Sequence, residues 1–145
     1  MGNKLKIVAV CSLIILLVAF ILINNKSTDE TTTQVLEKKE IIIEQSQFII
    51  TPKIITSNSN KKLYVYLKVT SYQNPDMLNM NFKDQIMVDI NSELISPTDW
   101  TIINKEAYKI TNELVFNLNT TQNISELMLQ IITFIDNEII WNLDT

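Results

Sequence analysis

The chain has 145 residues, room for about one domain, and carries 12 basic and 16 acidic side chains with no His, a formal net charge of −4. Every basic residue is a lysine. Without imidazole there is no Ser-His or Cys-His pair and no His-ligated zinc or haem, and without guanidinium there is no bidentate phosphate fork. The one glycine leaves no phosphate-cradling loop, and the acidic balance argues against nucleic acid as a partner. No cofactor is expected.

The N-terminus opens with Lys4 and Lys6 and then an uncharged, almost wholly apolar run from Ile7 to Ile23. At about 1.5 Å per residue, with the two lysines snorkelling, such a run approaches the ~30 Å hydrocarbon core of a bilayer. Bulky Ile21, Leu22 and Ile23 stand where a cleaved signal peptide needs small residues. Val10 before Cys11 and Lys6 at the sixth position fit neither lipoprotein nor myristoyl signals. A buried globular helix fits poorly with a run that is apolar all round. The expectation is an uncleaved membrane anchor. The lysines before it, and Asp29 and Glu30 after it, place residues 1–6 in the cytoplasm, a transmembrane helix at 7–23, and the rest outside the cell membrane. Cys11 falls inside the apolar run, so the exported part has no disulfide to rely on.

Residues 24–39 are polar and lack an apolar period, which reads as a linker; Thr31, Thr32 and Thr33 disfavour helix, and a short helical turn could begin at Val35 and Leu36. From 40 to 145 the period is two. The clearest strand holds Leu63, Val65, Leu67 and Val69 on one face and Tyr64, Tyr66 and Lys68 on the other. Further strands are expected at Ile41 to Glu44, at Phe48 to Ile55 (Pro52 suggesting an edge or bulge), over 85–90, at Trp100 to Ile103, and over 113–118. A final hairpin would turn at Asp136-Asn137, bringing Phe134 opposite Ile139 and Ile132 opposite Trp141. Residues 76–83 read as a short helix or a long loop. Seven or eight short strands with turn-rich joints predict an all-β, antiparallel immunoglobulin-like sandwich preceded by one N-terminal transmembrane helix, with a small barrel as the alternative.

The succession of a strand ending at Ile49 to Pro52, the YVYLKVT strand, the VDINSEL segment and the late ELVFNL strand resembles the telokin-like, immunoglobulin-fold domains exported by many Gram-positive bacteria. The resemblance spans roughly Glu40 to Asp144. It implies a tethered ectodomain and carries no activity with it. Two features of that pattern are missing: glycines before the late strand, where Ile110-Thr111-Asn112 stands, and a lipid-attachment box.

Candidate chemistry is sparse. Asp84, Asp89, Glu93 and Asp99 lie close in sequence, but a calcium loop would need a turn glycine and a longer acidic ladder. Ser57, Ser59, Lys61 and Lys62 are neighbours, but a Ser-Lys pair needs a desolvated lysine. Tyr64, Tyr66 and Tyr72 with Lys68 form a face able to bind glycan, peptide or another sheet. Trp100 and Trp141 read as core anchors. Beyond Asn24 stand all 16 acidic residues and every lysine except Lys4 and Lys6, leaving −6, so attraction to anionic polymers or headgroups is not expected. The functional expectation is a non-enzymatic, membrane-anchored extracytoplasmic module that binds or assembles with protein, held to the membrane through Ile7 to Ile23. The alternatives are a pilin-like or envelope-assembly subunit and a carboxylate-based hydrolase.

Overall fold

A computed structural model describes residues 30–119, 123–132 and 138–143; the expected anchor at 7–23 and the Asp136-Asn137 turn lie outside them. Among the described residues no helix is long and apolar enough to cross a membrane. Among the described residues ten strands carry the fold: β1 Thr32–Val35, β2 Lys39–Ile43, β3 Ser46–Thr56, β4 Lys61–Thr70, β5 Ile86–Ile90, β6 Glu93–Ile95, β7 Asp99–Glu106, β8 Lys109–Leu118, β9 Glu126–Ile131 and β10 Glu138–Asn142. They form two antiparallel sheets. One runs β1-β3-β4-β8-β7, with β2 also paired to β3, and the other runs β10-β9-β5-β6. The described residues are thus all-β in character, with a sandwich-like arrangement.

Alternation in sequence becomes alternation in burial. Leu63, Val65, Leu67 and Val69 of β4 are fully buried, as are Val88 of β5, Leu114 and Phe116 of β8, and Leu127 and Leu129 of β9. The inner faces of both sheets share one core, and each such side chain contributes roughly 1.5–3 kcal/mol on burial. A 3₁₀ turn at Pro75–Asn79 and one α-helical turn at Phe82–Gln85 close one end of this core. Met77, Leu78 and Phe82 point inward, with Phe82 edge-on to Phe48 at 6.5 Å. Asn81 caps the helical turn, its side-chain oxygen accepting from the Lys83 amide. The segment at 76–83 is therefore partly helical.

Four expectations are corrected. First, the linker at 24–39 is not polar spacer throughout. Thr32–Val35 forms β1, paired with Lys53 to Thr56 of β3, and the β-branched threonines that disfavour helix suit a strand. No helical turn starts at Val35.

Second, β3 is neither an edge nor broken at Pro52; it runs unbroken between β1 and β2 on one side and β4 on the other. The irregularity lies in the neighbour. Between the pairs Val35↔Lys53 and Lys39↔Ile50, three residues (36–38) face two (51–52), a bulge that separates β1 from β2. The Leu36 amide donates to the Pro52 carbonyl at 2.9 Å. Because a strand residue aims its N–H and C=O to the same side, the donor that Pro52 lacks would have pointed into this gap, which is why an interior strand tolerates it.

Third, the last hairpin has another register. Ile139 faces Leu129 and Trp141 faces Leu127, rather than Phe134 and Ile132. The apolar run offered several ladders of similar hydrophobicity. The adopted one sets four buried side chains, Leu127, Leu129, Ile139 and Trp141, against the core and leaves Ile132 exposed. Fourth, the short strand β6 was not among the strands expected; it opens at Glu93, directly after the two-residue Asn91-Ser92 turn.

The sheets are joined at one side by the bulge. Trp141 of β10 donates from Nε1 to the Glu37 carbonyl at 2.7 Å. Lys39 lies over the Trp141 ring, 5.3 Å from its centroid, and donates to the Ile140 carbonyl. The ladder also defines two poles. Thr32 pairs with Thr56, and Lys61 with Leu118, at the pole where the chain enters β1. The Glu44-Gln45 turn, the end of β4 and the Ala107-Tyr108 turn lie at the other.

Candidate functional site

Residues that point away from the core on β3, β4 and β8 form the outer face of the larger sheet. Tyr64, Tyr66 and Lys68 alternate with the buried Leu63, Val65 and Leu67, so all three lie on this face, half-buried among their lateral neighbours. Across the sheet, Tyr64 stands between Lys53 and Val115, Tyr66 between Thr51 and Glu113, and Lys68 between Ile49 and Thr111. The second sheet packs on the opposite side.

The four expected residues share this face but not one pocket. Tyr64 lines a shallow recess with Ser57, Asn60 and Lys62 near the pole where the chain enters. Tyr66 sits in the middle and is engaged. Its hydroxyl donates to the Glu113 carboxylate, and that bond, helped by burial and by the carboxylate's charge, pushes the phenol above its ordinary range. Lys68 and Tyr72 meet at the far pole, in a recess of 380 Å³ that also takes in Gln47, Thr70, Glu106, Tyr108 and Lys109.

The far recess is framed by fixed parts. Ser71, at the end of β4, is buried; its hydroxyl accepts from Ser46 at 2.8 Å and donates to the Asn74 carbonyl at 2.6 Å. Its amide donates to the Tyr108 carbonyl at 2.9 Å. The turn carrying Tyr72 is thus tied both to β3 and to the β7–β8 connection. The consequence is an aromatic pair with ring centroids 5.3 Å apart and tilted by 38°, on side chains that are 73% and 56% exposed. Beside it, Lys109 forms an ion pair with Glu106 at 2.8 Å, and Asn104 donates to the other carboxylate oxygen at 2.9 Å. These bonds hold Glu106 below the usual carboxylate range. Lys68 makes no hydrogen bond or ion pair among the described residues, although its charge is felt at Glu106.

Tyr108, Lys109 and Glu106 were missed in the sequence. The signal was present, since Lys109 to Leu118 alternates as cleanly as β4, but a polar Asn112 occupies an inward position and breaks the apolar pattern. Asn112 is fully buried; its Oδ1 accepts from the Trp100 indole at 3.0 Å while its Nδ2 is unpartnered. Trp141 is a core residue as expected, and Trp100 packs against the core from its rim.

The acidic residues do not converge. Asp84 is in the helical turn, bonded by Asn81. Asp89 and Glu93 pair with Leu94 and Ile90, on opposite faces of the smaller sheet, and Asp99 lies on the larger sheet beside Val115. Among the described residues no three His, Cys, Asp or Glu side chains are placed to hold a metal ion. Lys61 is pushed below its ordinary range by burial. It faces a recess at the sandwich end with Ile54, Ile124 and Leu143, whereas Ser57 lines the separate recess that holds Tyr64. No family model, curated protein or solved structure matches the chain.

Proposed function

We propose that this chain is a non-catalytic, membrane-anchored module whose immunoglobulin-like head binds a protein partner outside the cell membrane. The observation that carries the reading is the outer face of the larger sheet, which ends in the exposed Tyr72–Tyr108 pair at the pole opposite the point where the chain enters the head. Tyrosine offers large apolar area with a polar tip and few rotamers to freeze, which suits it to protein interfaces. The lysine-flanked run from Ile7 to Ile23 supports the anchor.

The strand order supports the immunoglobulin-like reading. Taken in chain order from β3 to β10 as A, B, C, C′, D, E, F and G, the sheets read A-B-E-D and G-F-C-C′, the arrangement of immunoglobulin-type sandwiches carrying one extra strand. The β1 and β2 segments are an addition beside A. This order also supports the resemblance to the telokin-like exported domains of Gram-positive bacteria.

The test uses whole cells. A photo-cross-linking residue replaces Tyr64 or Tyr72 in the full chain, with Met87 on the outer face of the smaller sheet as control, and protease is added from outside. The expected result is digestion of the head and a discrete cross-linked protein from the two tyrosine positions that the Met87 position does not give. A protected head would sink the topology; equal capture from all three positions, or none, would sink the interface.

A further inference from the structure

We propose that the recess beside Tyr72 and Tyr108 takes an acidic peptide segment of the partner, with a carboxylate on Lys68 and a neighbouring aromatic or large apolar side chain against the tyrosine pair. This rests on the protein-binding reading above and specifies its ligand. The first argument is charge. In a chain of net charge −4, the recess is lined by two lysines and a single acid. That acid, Glu106, is already committed to Lys109 and Asn104. Nearby Glu40 is taken by the Gln47 amide at 2.7 Å.

Lys68 is left as an ammonium without a hydrogen-bonding partner among the described residues, half-buried on a sheet between Ile49 and Thr111. A cation in such surroundings gains from an incoming carboxylate, because the contact is partly shielded from water and charge-assisted. The second argument is shape. The rings of Tyr72 and Tyr108 are tilted rather than stacked flat and are largely exposed, so they present aromatic surface at one end of the recess. Ser46 and Ser71 fix the turn beneath Tyr72, which limits the ordering cost on binding.

The test titrates the full chain, reconstituted in lipid nanodiscs, with three capped peptides: Glu-Phe-Glu, Gln-Phe-Gln and Glu-Ala-Glu. Amide shifts at Tyr72, Tyr108 and Lys109 are followed. The acidic aromatic probe is expected to bind about tenfold tighter than either control, the size of one charge-assisted contact. Lys68→Gln should erase the difference between Glu-Phe-Glu and Gln-Phe-Gln, Lys68→Arg should restore it, and Tyr108→Ala should erase the difference from Glu-Ala-Glu. Equal affinities, an unchanged charge preference in Lys68→Gln, shifts confined to other surfaces, or a response to chitohexaose alone would overturn the proposal. If the peptides fail while cross-linking at Tyr64 and Tyr72 in cells still captures a protein, this ligand is wrong and the protein-binding reading survives.

Discussion

Ser92 and Gln45 adopt positive φ, 68° and 62°, in a chain whose one glycine lies at Gly2. Each is the second residue of a two-residue hairpin turn whose first residue, Asn91 or Glu44, also has positive φ. This is the twist that suits antiparallel strands, at a steric cost to any residue with a Cβ. Ser92→Gly converts the β5–β6 turn to Asn-Gly and should stabilise the protein by about 1 kcal/mol, read as a higher denaturation midpoint with an unchanged m-value. Asn91 should be kept, since its side chain donates to the Asn123 carbonyl at 2.7 Å. Tyr66 supplies a pH dependence. The Glu113 hydrogen bond raises its folded pKa above the ordinary tyrosine value, which is about 10. A raised pKa means the folded state holds the proton more tightly than the unfolded state. The stabilisation is therefore complete below the unfolded value and is lost as pH climbs from there through the folded one. Tyr66→Phe should remove that alkaline loss from a plot of stability against pH.

At the scale of elements, the sequence reveals strands better than partners. The β4 strand was legible because every second residue from Leu63 to Val69 is apolar and every inward one is buried. The β1 strand was not, since all four of its residues are exposed and only Val35 among them is apolar; only its pairing with β3 defines it. The β9–β10 register was hidden for the opposite reason, an excess of apolar residues, and Pro52 was misread because the bulge that accommodates it lies on another strand. Of the proposed binding face, Tyr64, Tyr66 and Lys68 followed from alternation alone, whereas Tyr108 depended on a hairpin disguised by the buried Asn112. The bulge makes a prediction of its own. Trp141→Phe keeps an aromatic ring in the core but removes the bond to Glu37. It should cost about 1–2 kcal/mol and speed amide exchange in β1 and β10 while leaving the centre of β4 and β8 protected.

For the molecule as a whole, architecture was more legible than identity. Period-two runs and turn-rich joints sufficed for an all-β fold of two sheets, because an alternating strand has only one face to bury. The site was less legible because it is assembled at one pole from three separate stretches of chain: the end of β4, the β7–β8 turn and the start of β3. With Cys11 as the one cysteine, no disulfide within the chain can add to what the core and its hydrogen bonds supply. The head's thermal midpoint should be the same with and without reductant, measured by circular dichroism on the full chain. The positions of the two poles have a mechanical consequence. The Lys61–Thr70 strand separates them by roughly 30 Å, and β1 lies parallel to that axis, antiparallel to β3. A load applied between Glu30 and the Tyr72–Tyr108 tip would thus pull β1 lengthwise, so its rungs to β3 share the tension together in shear instead of unzipping in turn. This arrangement would let a short, exposed strand serve as a strong tether.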